Sequence, residues 1–148
     1  MAGGRFEGSA VIDRPIDEVF AFLADGENDT RFSPRVLEIR KTTDGPPGVG
    51  TVYASTVKDG GVKTKREFEL TAFEPPTKIR WTERSKNMVV VPEGGYDLAP
   101  EGAGTRLTLF NVLEGRGFGK LLVGFALGQA RKAADDMVAN IKRVIESG

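Results

Sequence analysis

The hydrophobic period changes twice along this chain, and the fold class follows from these changes. Residues 16–23 carry apolar side chains at helical spacing, whereas from residue 36 apolar and polar residues alternate with period two. The alternation ends near Leu113, and residues 118–145 return to helical spacing. Because strands and helices are segregated along the chain, the pattern predicts an α+β fold rather than a doubly wound parallel sheet.

Turn residues divide the alternating region into strands. Clusters of Gly and Pro around residues 45, 60, 75 and 102 predict the turns. The predicted strands are residues 6–13, 37–40, 51–58, 62–73, 78–85, 88–98 and 105–113. An antiparallel sheet of six to seven strands curls, and the long C-terminal helix can fill its concave side, with two short helices after the first strand. A single domain over residues 1–148 is expected at this length.

Composition excludes several classes of chemistry. The chain has no His and no Cys, which excludes a structural zinc site and any Ser–His or Cys–His nucleophile, so neither metal nor cofactor is expected. The formal net charge is zero, which argues against nucleic acid as a partner. Residues 1–5 lack the apolar core of a secretory signal, and the apolar segment 121–130 is too short to span a bilayer. A cytoplasmic protein without a membrane span is expected; nothing indicates its oligomeric state.

Strand parity predicts which side chains face the long helix. Between residues 63 and 69 one face of the predicted strand carries only Lys and Glu, so the opposite face must be the inner one. The same reasoning extends to two later strands. The predicted inner face comprises Thr64, Arg66, Phe68, Leu70 and Ala72, then Ile79, Trp81 and Glu83, then Leu107, Leu109, Asn111 and Leu113.

Three side chains on this face carry a charge or an amide group: Arg66, Glu83 and Asn111. A buried charge needs a partner of opposite charge. Arg66 and Glu83 lie on adjacent strands and can form such a pair. Two interpretations follow: these residues lie near strand ends that meet water, or they orient the oxygen atoms of a ligand in an apolar pocket. Tyr53 and Tyr96 can each direct a hydroxyl into that pocket, although Tyr96, which follows two glycines, is also typical of a strand edge.

The first half of the C-terminal helix mixes large apolar residues with small ones. An apolar stripe starts at Phe118, Leu121, Leu122 and Phe125 and continues to Ile145. Interior Gly costs a helix about 1 kcal/mol relative to Ala, so the several Gly and Ala residues here predict close approach to the sheet or room for a ligand. The predicted ligand-binding residues are Arg66, Phe68, Leu70, Trp81, Glu83, Tyr96, Leu109, Asn111, Leu122 and Phe125.

Five segments punctuate this order of elements: DRPIDEVFAFL at 13–23, residues 27–34 from Glu-Asn to Phe-Ser-Pro, GVGT at 48–51, FEPP at 73–76 before IRW, and GAGTRLT at 102–108. In this order they resemble the START-like or helix-grip superfamily, which includes the polyketide cyclase/dehydratase-like (SRPBCC) and plant Bet v 1-like proteins. The resemblance covers nearly the whole chain. It implies a sheet wrapped around a long helix, and members that bind lipids, sterols or hormones, process polyketides, or act as interaction partners.

The first expected function is binding of an apolar or amphipathic small molecule, lipid- or polyketide-like, between sheet and helix. The alternative is a polyketide aromatase/cyclase, in which Arg66 polarises a carbonyl and Glu83 or Tyr53 moves a proton. Many enzymes of that kind use a His, which this chain lacks. A third possibility, a protein–protein adaptor resembling co-chaperone relatives, requires an exposed apolar patch, and the sequence gives no sign of one.

Overall fold

The structure, a computed structural model, describes residues 3–59 and 61–148. The elements in chain order are β1 (Gly3–Ile12), α1 (Ile16–Ala24), a 3-10 helix (Gly26–Arg31), β2 (Val36–Lys41), β3 (Val52–Asp59), β4 (Val62–Glu74), β5 (Lys78–Glu83), β6 (Val89–Glu101), β7 (Gly104–Gly115) and α2 (Gly119–Glu146). The predicted turn at residues 59–61 includes Gly60, and the predicted absence of a signal involves Met1 and Ala2; these three residues lie outside the described ones.

The seven strands form one antiparallel sheet in the order β1-β7-β6-β5-β4-β3-β2. Only β1 enters the sheet out of sequence, because the short helices carry the chain from β1 at one edge to β2 at the other. The long helix α2 packs chiefly on β1 and β7. The predicted α+β fold with a long C-terminal helix is therefore confirmed. In the described ranges, no helix is long and apolar enough to cross a membrane.

Helix α2 presents a different face to the sheet from the one predicted for its first half. Gly119, Val123 and Leu127 are buried, whereas Phe118, Leu121, Leu122 and Phe125 are exposed. The sequence contains two apolar faces in this half, and periodicity does not say which one is covered. Contact decides it: a Cβ on Gly119 would overlap the carbonyl group of Met88, so only the glycine face can approach the residue before β6 this closely. Gly124 and Gly128, by contrast, have no neighbouring atoms at their Cβ positions and make no close approach.

The core is divided into two clusters. The larger one joins the second half of α2 to α1 and the middle of the sheet, with Val138, Ile141 and Leu107 among its most buried members. The smaller one contains only three buried residues, Leu113, Val123 and Leu127. The second half of α2 is therefore anchored by much more apolar surface than the first half.

A β-bulge corrects the predicted parity of β4. The register with β5 shifts between Leu70 and Ala72, so that Leu70 pairs with Trp81 but Phe73 pairs with Ile79. The extra residue moves Phe73, and not Ala72, onto the inner face. There the Phe73 ring meets Phe20 of α1 edge-to-face at 5.3 Å between centroids.

Candidate functional site

A small cleft opens between α2 and the inner face of the sheet, where the two core clusters meet. Its volume is about 100 Å³. The lining residues are Phe6, Arg35, Leu109, Asn111, Ala130, Ala133, Ala134 and Met137. The wall on the α2 side consists largely of alanines. Because these side chains are short, they leave a gap between the helix and the sheet. Leu109 and Asn111 are thus placed in the cleft, as predicted from strand parity.

Asn111 is held in the cleft wall by an indole. Trp81 Nε1 donates a hydrogen bond of 2.9 Å to Asn111 Oδ1. This bond fixes the orientation of the amide, whose NH₂ group finds no acceptor among the described residues. The cleft therefore contains one oriented amide donor that keeps some access to solvent and can donate a hydrogen bond to a ligand oxygen.

The Trp81–Asn111 hydrogen bond passes over Gly94, which lies between them on β6. Gly94 pairs with Trp81 on β5 and with Asn111 on β7, so all three lie in one row across the sheet. A Cβ on Gly94 would overlap both Asn111 Oδ1 and Trp81 Nε1. The glycine is needed here for space.

We expect Gly94→Ala to displace the indole and the amide and to destabilise the protein by about 1–3 kcal/mol through overpacking. Trp81 is the only tryptophan, so its fluorescence reports the change directly. Gly102→Ala is the matched control, since no atom lies within 4 Å of its Cβ position and its cost comes from backbone strain alone. Unchanged fluorescence and stability in Gly94→Ala would contradict the close packing of this row.

Tyr96 lies against the other side of the indole. It is buried in the middle of β6, and its ring meets Trp81 edge-to-face at 5.0 Å. Because β6 is an interior strand of the sheet, the expectation of a strand-edge tyrosine is wrong. Burial, and secondarily the charge of Asp29, raises the pKa of Tyr96 well above its usual value, so this hydroxyl stays protonated.

Arg66 and Glu83 form the ion pair that their adjacent strands allow. Arg66 Nη1 lies 3.0 Å from both carboxylate oxygens of Glu83 and donates a further hydrogen bond to the Val89 carbonyl. The Glu83 side chain is completely buried, whereas that of Arg66 is 16% exposed.

The remaining acceptor positions of Glu83 are also occupied. Ser85 Oγ and Asn87 Nδ2 donate to Oε2 at 2.5 and 2.9 Å, and the Val91 backbone N–H donates to Oε1 at 2.9 Å. The pair thus ties β4, β5 and the start of β6 to the loop 84–88. Neither residue lines the cleft, and this geometry favours a structural role over the catalytic one considered above.

Tyr53 is likewise occupied. Its hydroxyl donates to the Ala24 carbonyl at 3.4 Å and accepts from the Gly26 N–H at 3.3 Å, which joins β3 to the end of α1. A Cβ on Gly26 would lie within 3 Å of the Tyr53 ring, so the ring packs directly on that backbone. The expectation that Tyr53 directs a free hydroxyl into the pocket is wrong.

The other predicted ligand-binding residues separate into three groups. Leu70 belongs to the larger core cluster, and Phe68 is half-buried on the inner face of β4. Leu122 and Phe125 lie on the exposed side of α2, so their predicted position facing the sheet is wrong. The reason is the rotation of α2 set by Gly119.

Two residues of this region were missed by sequence reasoning. Arg35 reaches the cleft from the segment before β2 and forms a bidentate ion pair with Asp59. Asp29, on the 3-10 helix, lies close enough to Tyr53 and Tyr96 for its charge to raise both of their pKa values. Burial, with a smaller contribution from the Asp25 charge, raises the pKa of Asp29 to about 7. Neither residue lies on a periodic strand or helix pattern, so no sequence signal indicated them.

A second concavity, about 490 Å³, lies on the surface at the end of α2. It is lined only by residues of that helix end, such as Ala139, Lys142 and Glu146, and it is wide open to solvent. An open depression with walls from a single helix cannot enclose a ligand, so the cleft beside Asn111 is the candidate site.

The chain is similar to a family that is defined by sequence. Residues 4–146 match the family model described as polyketide cyclase / dehydrase and lipid transport. No curated protein is significantly similar in sequence to this chain.

Several solved structures share the fold. Protein TTHA0849 of Thermus thermophilus superposes with a TM-score of 0.81 at 18% identity, covering 97% of both chains. The Zhui aromatase/cyclase of a Streptomyces species gives 0.79 at 17% identity, covering 97% of this chain and 94% of that one. A START superfamily protein of Mycobacterium smegmatis gives 0.74 at 14% identity, covering 98% and 99%. At these identities the likeness is one of fold.

Proposed function

The chain belongs to the polyketide cyclase / dehydrase and lipid transport family, and from this premise we propose that it binds an apolar small molecule with at least one oxygen atom in the cleft between α2 and the sheet. The observation that carries the proposal is the amide donor of Asn111, which Trp81 orients in a cleft whose other lining residues, apart from Arg35, are apolar. A ligand oxygen that displaces water here would accept a hydrogen bond from a donor whose direction is already fixed.

The size of the cleft sets a condition on binding. About 100 Å³ is well below the 300–1,000 Å³ of typical ligand pockets. A lipid- or polyketide-sized ligand therefore requires part of α2 to move away from the sheet. The helix wall of the cleft, from Ala130 to Met137, spans the middle of α2, so movement of the first half would open the cleft at its Ala130 end. The division of the core supports this movement, because that half is held by the smaller cluster of Leu113, Val123 and Leu127 while the second half stays anchored.

The glycines before α2 supply a place for such a movement. Gly117 has φ near +56°, a left-handed conformation that favours glycine, and no atom lies near its Cβ position. It lies in the connection between β7 and α2, where we infer a hinge. Arg35 lies at the lining of the cleft with its guanidinium paired to Asp59, so it adds a polar boundary to the apolar interior.

We expect purified protein to be stabilised thermally by apolar ligands that carry a carbonyl or hydroxyl group, tested with fatty acids, sterols and polycyclic aromatic ketones. Ala133→Leu fills the cleft and should weaken binding at least tenfold. Ala139→Leu is the matched control, since it adds the same side chain to the same helix at the open depression. The proposal fails if no ligand of this panel shifts the melting temperature, or if both variants bind equally.

Asn111→Asp tests the polar contact separately. It keeps the acceptor oxygen for Trp81 but replaces the donor with a carboxylate. A ligand carbonyl should then lose about tenfold in affinity, while a ligand hydroxyl, which can donate, should lose less.

A second candidate is catalysis of cyclisation or dehydration on a poly-β-keto chain. The observation that favours it is that burial raises the pKa of Asp29 to about 7, which suits a group that both takes and gives a proton at neutral pH; Asp29 itself is not among the residues that line the cleft. Arg66 and Glu83 are poorly placed for it, because their hydrogen-bonding capacity is used within the fold. Its test is whether Asp29→Asn lowers conversion of such a chain by mass spectrometry while the exposed Asp135→Asn does not.

A further inference from the structure

The first turns of α2 and the loop before β6 expose a contiguous apolar surface. We define the apolar tip as Met88, Phe118, Leu121, Leu122 and Phe125, which are 53%, 80%, 82%, 48% and 74% exposed. The helical members are spaced at i, i+3, i+4 and i+7, so they share one face of α2. Met88 adjoins them because its carbonyl packs on Gly119 and accepts the Arg116 N–H at 2.8 Å.

This concentration is specific to one place. In residues 3–59 and 61–148, nine large apolar side chains are exposed, and five of them form the apolar tip. A solvent-exposed helix face normally carries single, scattered apolar residues, whereas this one carries two phenylalanines and two leucines together. The surface is therefore expected to be covered by something.

The two chain segments that carry the apolar tip contain basic residues and no acidic ones. Residues 115–134 contain four Lys and Arg and no Asp or Glu, although the whole chain has 21 of each sign. Residues 84–92, which carry Met88, also have basic residues and no acid. The nearest acid in sequence, Glu114, is paired with Arg116 at 3.0 Å. Lys120 lies between Phe118 and Leu121 on α2, and Lys86 lies two residues before Met88, so basic side chains flank the apolar tip along the chain.

We propose that the apolar tip docks on an anionic phospholipid surface, with Phe118, Leu121 and Phe125 entering the acyl boundary and the lysines meeting phosphate groups. Apolar insertion combined with basic side chains is the physical requirement for interfacial binding of a helix. A second copy of the chain fits less well, because a two-fold contact through this face would set its flanking basic side chains against one another. The proposal does not depend on the identity of the cleft ligand.

The position of the apolar tip gives docking a consequence. It lies on the first half of α2, whose movement would open the Ala130 end of the cleft, and this half is held by the smaller core cluster and by the packing of Gly119 on Met88. Insertion of the tip would therefore act on the movable part of the helix at the surface from which a lipid would be taken up.

The test is sedimentation of the native protein with vesicles. We expect it to bind phosphatidylcholine vesicles that contain about one-third phosphatidylglycerol, to bind pure phosphatidylcholine vesicles at least tenfold more weakly, and to dissociate as salt rises. Leu121→Gln/Phe125→Gln should lower binding to the anionic vesicles at least tenfold, with unchanged melting temperature because both side chains are exposed. Val49→Gln/Val62→Gln, which removes two exposed apolar side chains elsewhere, should bind as the native protein does.

Three results would overturn the proposal: no sedimentation of native protein with anionic vesicles, equal binding by the two double variants, or a native dimer in light scattering that Leu121→Gln/Phe125→Gln makes monomeric without any vesicle binding. After the first result, the remaining explanation of the apolar tip would be docking on a protein partner, as in the adaptor function considered in the sequence analysis. Ligand-induced thermal shifts measured without vesicles are unaffected by any of these results, so the cleft proposal stands or fails separately.

Discussion

Glu83→Ala is expected to destabilise the protein by about 3–5 kcal/mol, because it leaves the Arg66 guanidinium buried without its counter-charge. The substitution also removes the acceptor of the Ser85 hydroxyl, the Asn87 amide and the Val91 N–H. Urea unfolding followed by circular dichroism measures the loss. A lower urea midpoint with an unchanged m-value would show that the folded state is less stable but exposes the same surface area on unfolding.

Glu101→Ala is the matched control for this ion pair. Glu101 and Arg106 are also joined by two hydrogen bonds across neighbouring strands, but both side chains are about half exposed. Its removal should cost less than about 1 kcal/mol because water solvates the freed arginine. Replacing both buried partners, as in Arg66→Met/Glu83→Leu, removes the unpaired charge and should recover part of the lost stability, while Ser85, Asn87 and Val91 still lack their acceptor. A loss below about 1 kcal/mol in Glu83→Ala would show that the network contributes little.

Asp29→Asn is expected to stabilise the protein at neutral and alkaline pH. The carboxyl has a pKa of about 7 when folded against 3.8 in its ordinary state, so the folded protein holds the proton more tightly. Below pH 4 both states are protonated and the group has no effect on stability. As pH rises from about 4 to 7 the unfolded chain ionises first, and stability is lost until the folded carboxyl ionises too.

The size of this effect follows from the shift. Three pKa units at about 1.4 kcal/mol each give roughly 4 kcal/mol, and partial solvent access of Asp29 lowers this to about 3 kcal/mol. The stability difference between Asp29→Asn and the native chain should therefore grow from near zero at pH 4 to that value at pH 8, measured by urea unfolding across this range. Asp135→Asn, on the exposed side of α2, should show no such growth. A difference independent of pH would mean that Asp29 is ionised throughout.

Much of the architecture followed from local patterns. The change from helical to alternating period predicted the element order, the antiparallel sheet and the long C-terminal helix, since each depends on residues close in sequence. Parity along single strands placed Trp81, Leu109 and Asn111 on the inner face, and it placed Arg66 and Glu83 near enough to pair. These predictions held because a strand without a bulge alternates strictly between its two faces.

Other features depended on contacts between distant segments, and only the tertiary structure decided them. A bulge in β4 exchanged Ala72 for Phe73, and contact between Gly119 and Met88 selected which of two apolar faces α2 would cover. The half-buried position of Asp29 depends on the packing of a short 3-10 helix that carries no periodic signal. The sequence by itself determined which elements form and which way a regular strand faces. The tertiary structure decided the rotation of the helix, and with it the exposed apolar tip, because rotation is set by close packing between segments far apart in the chain.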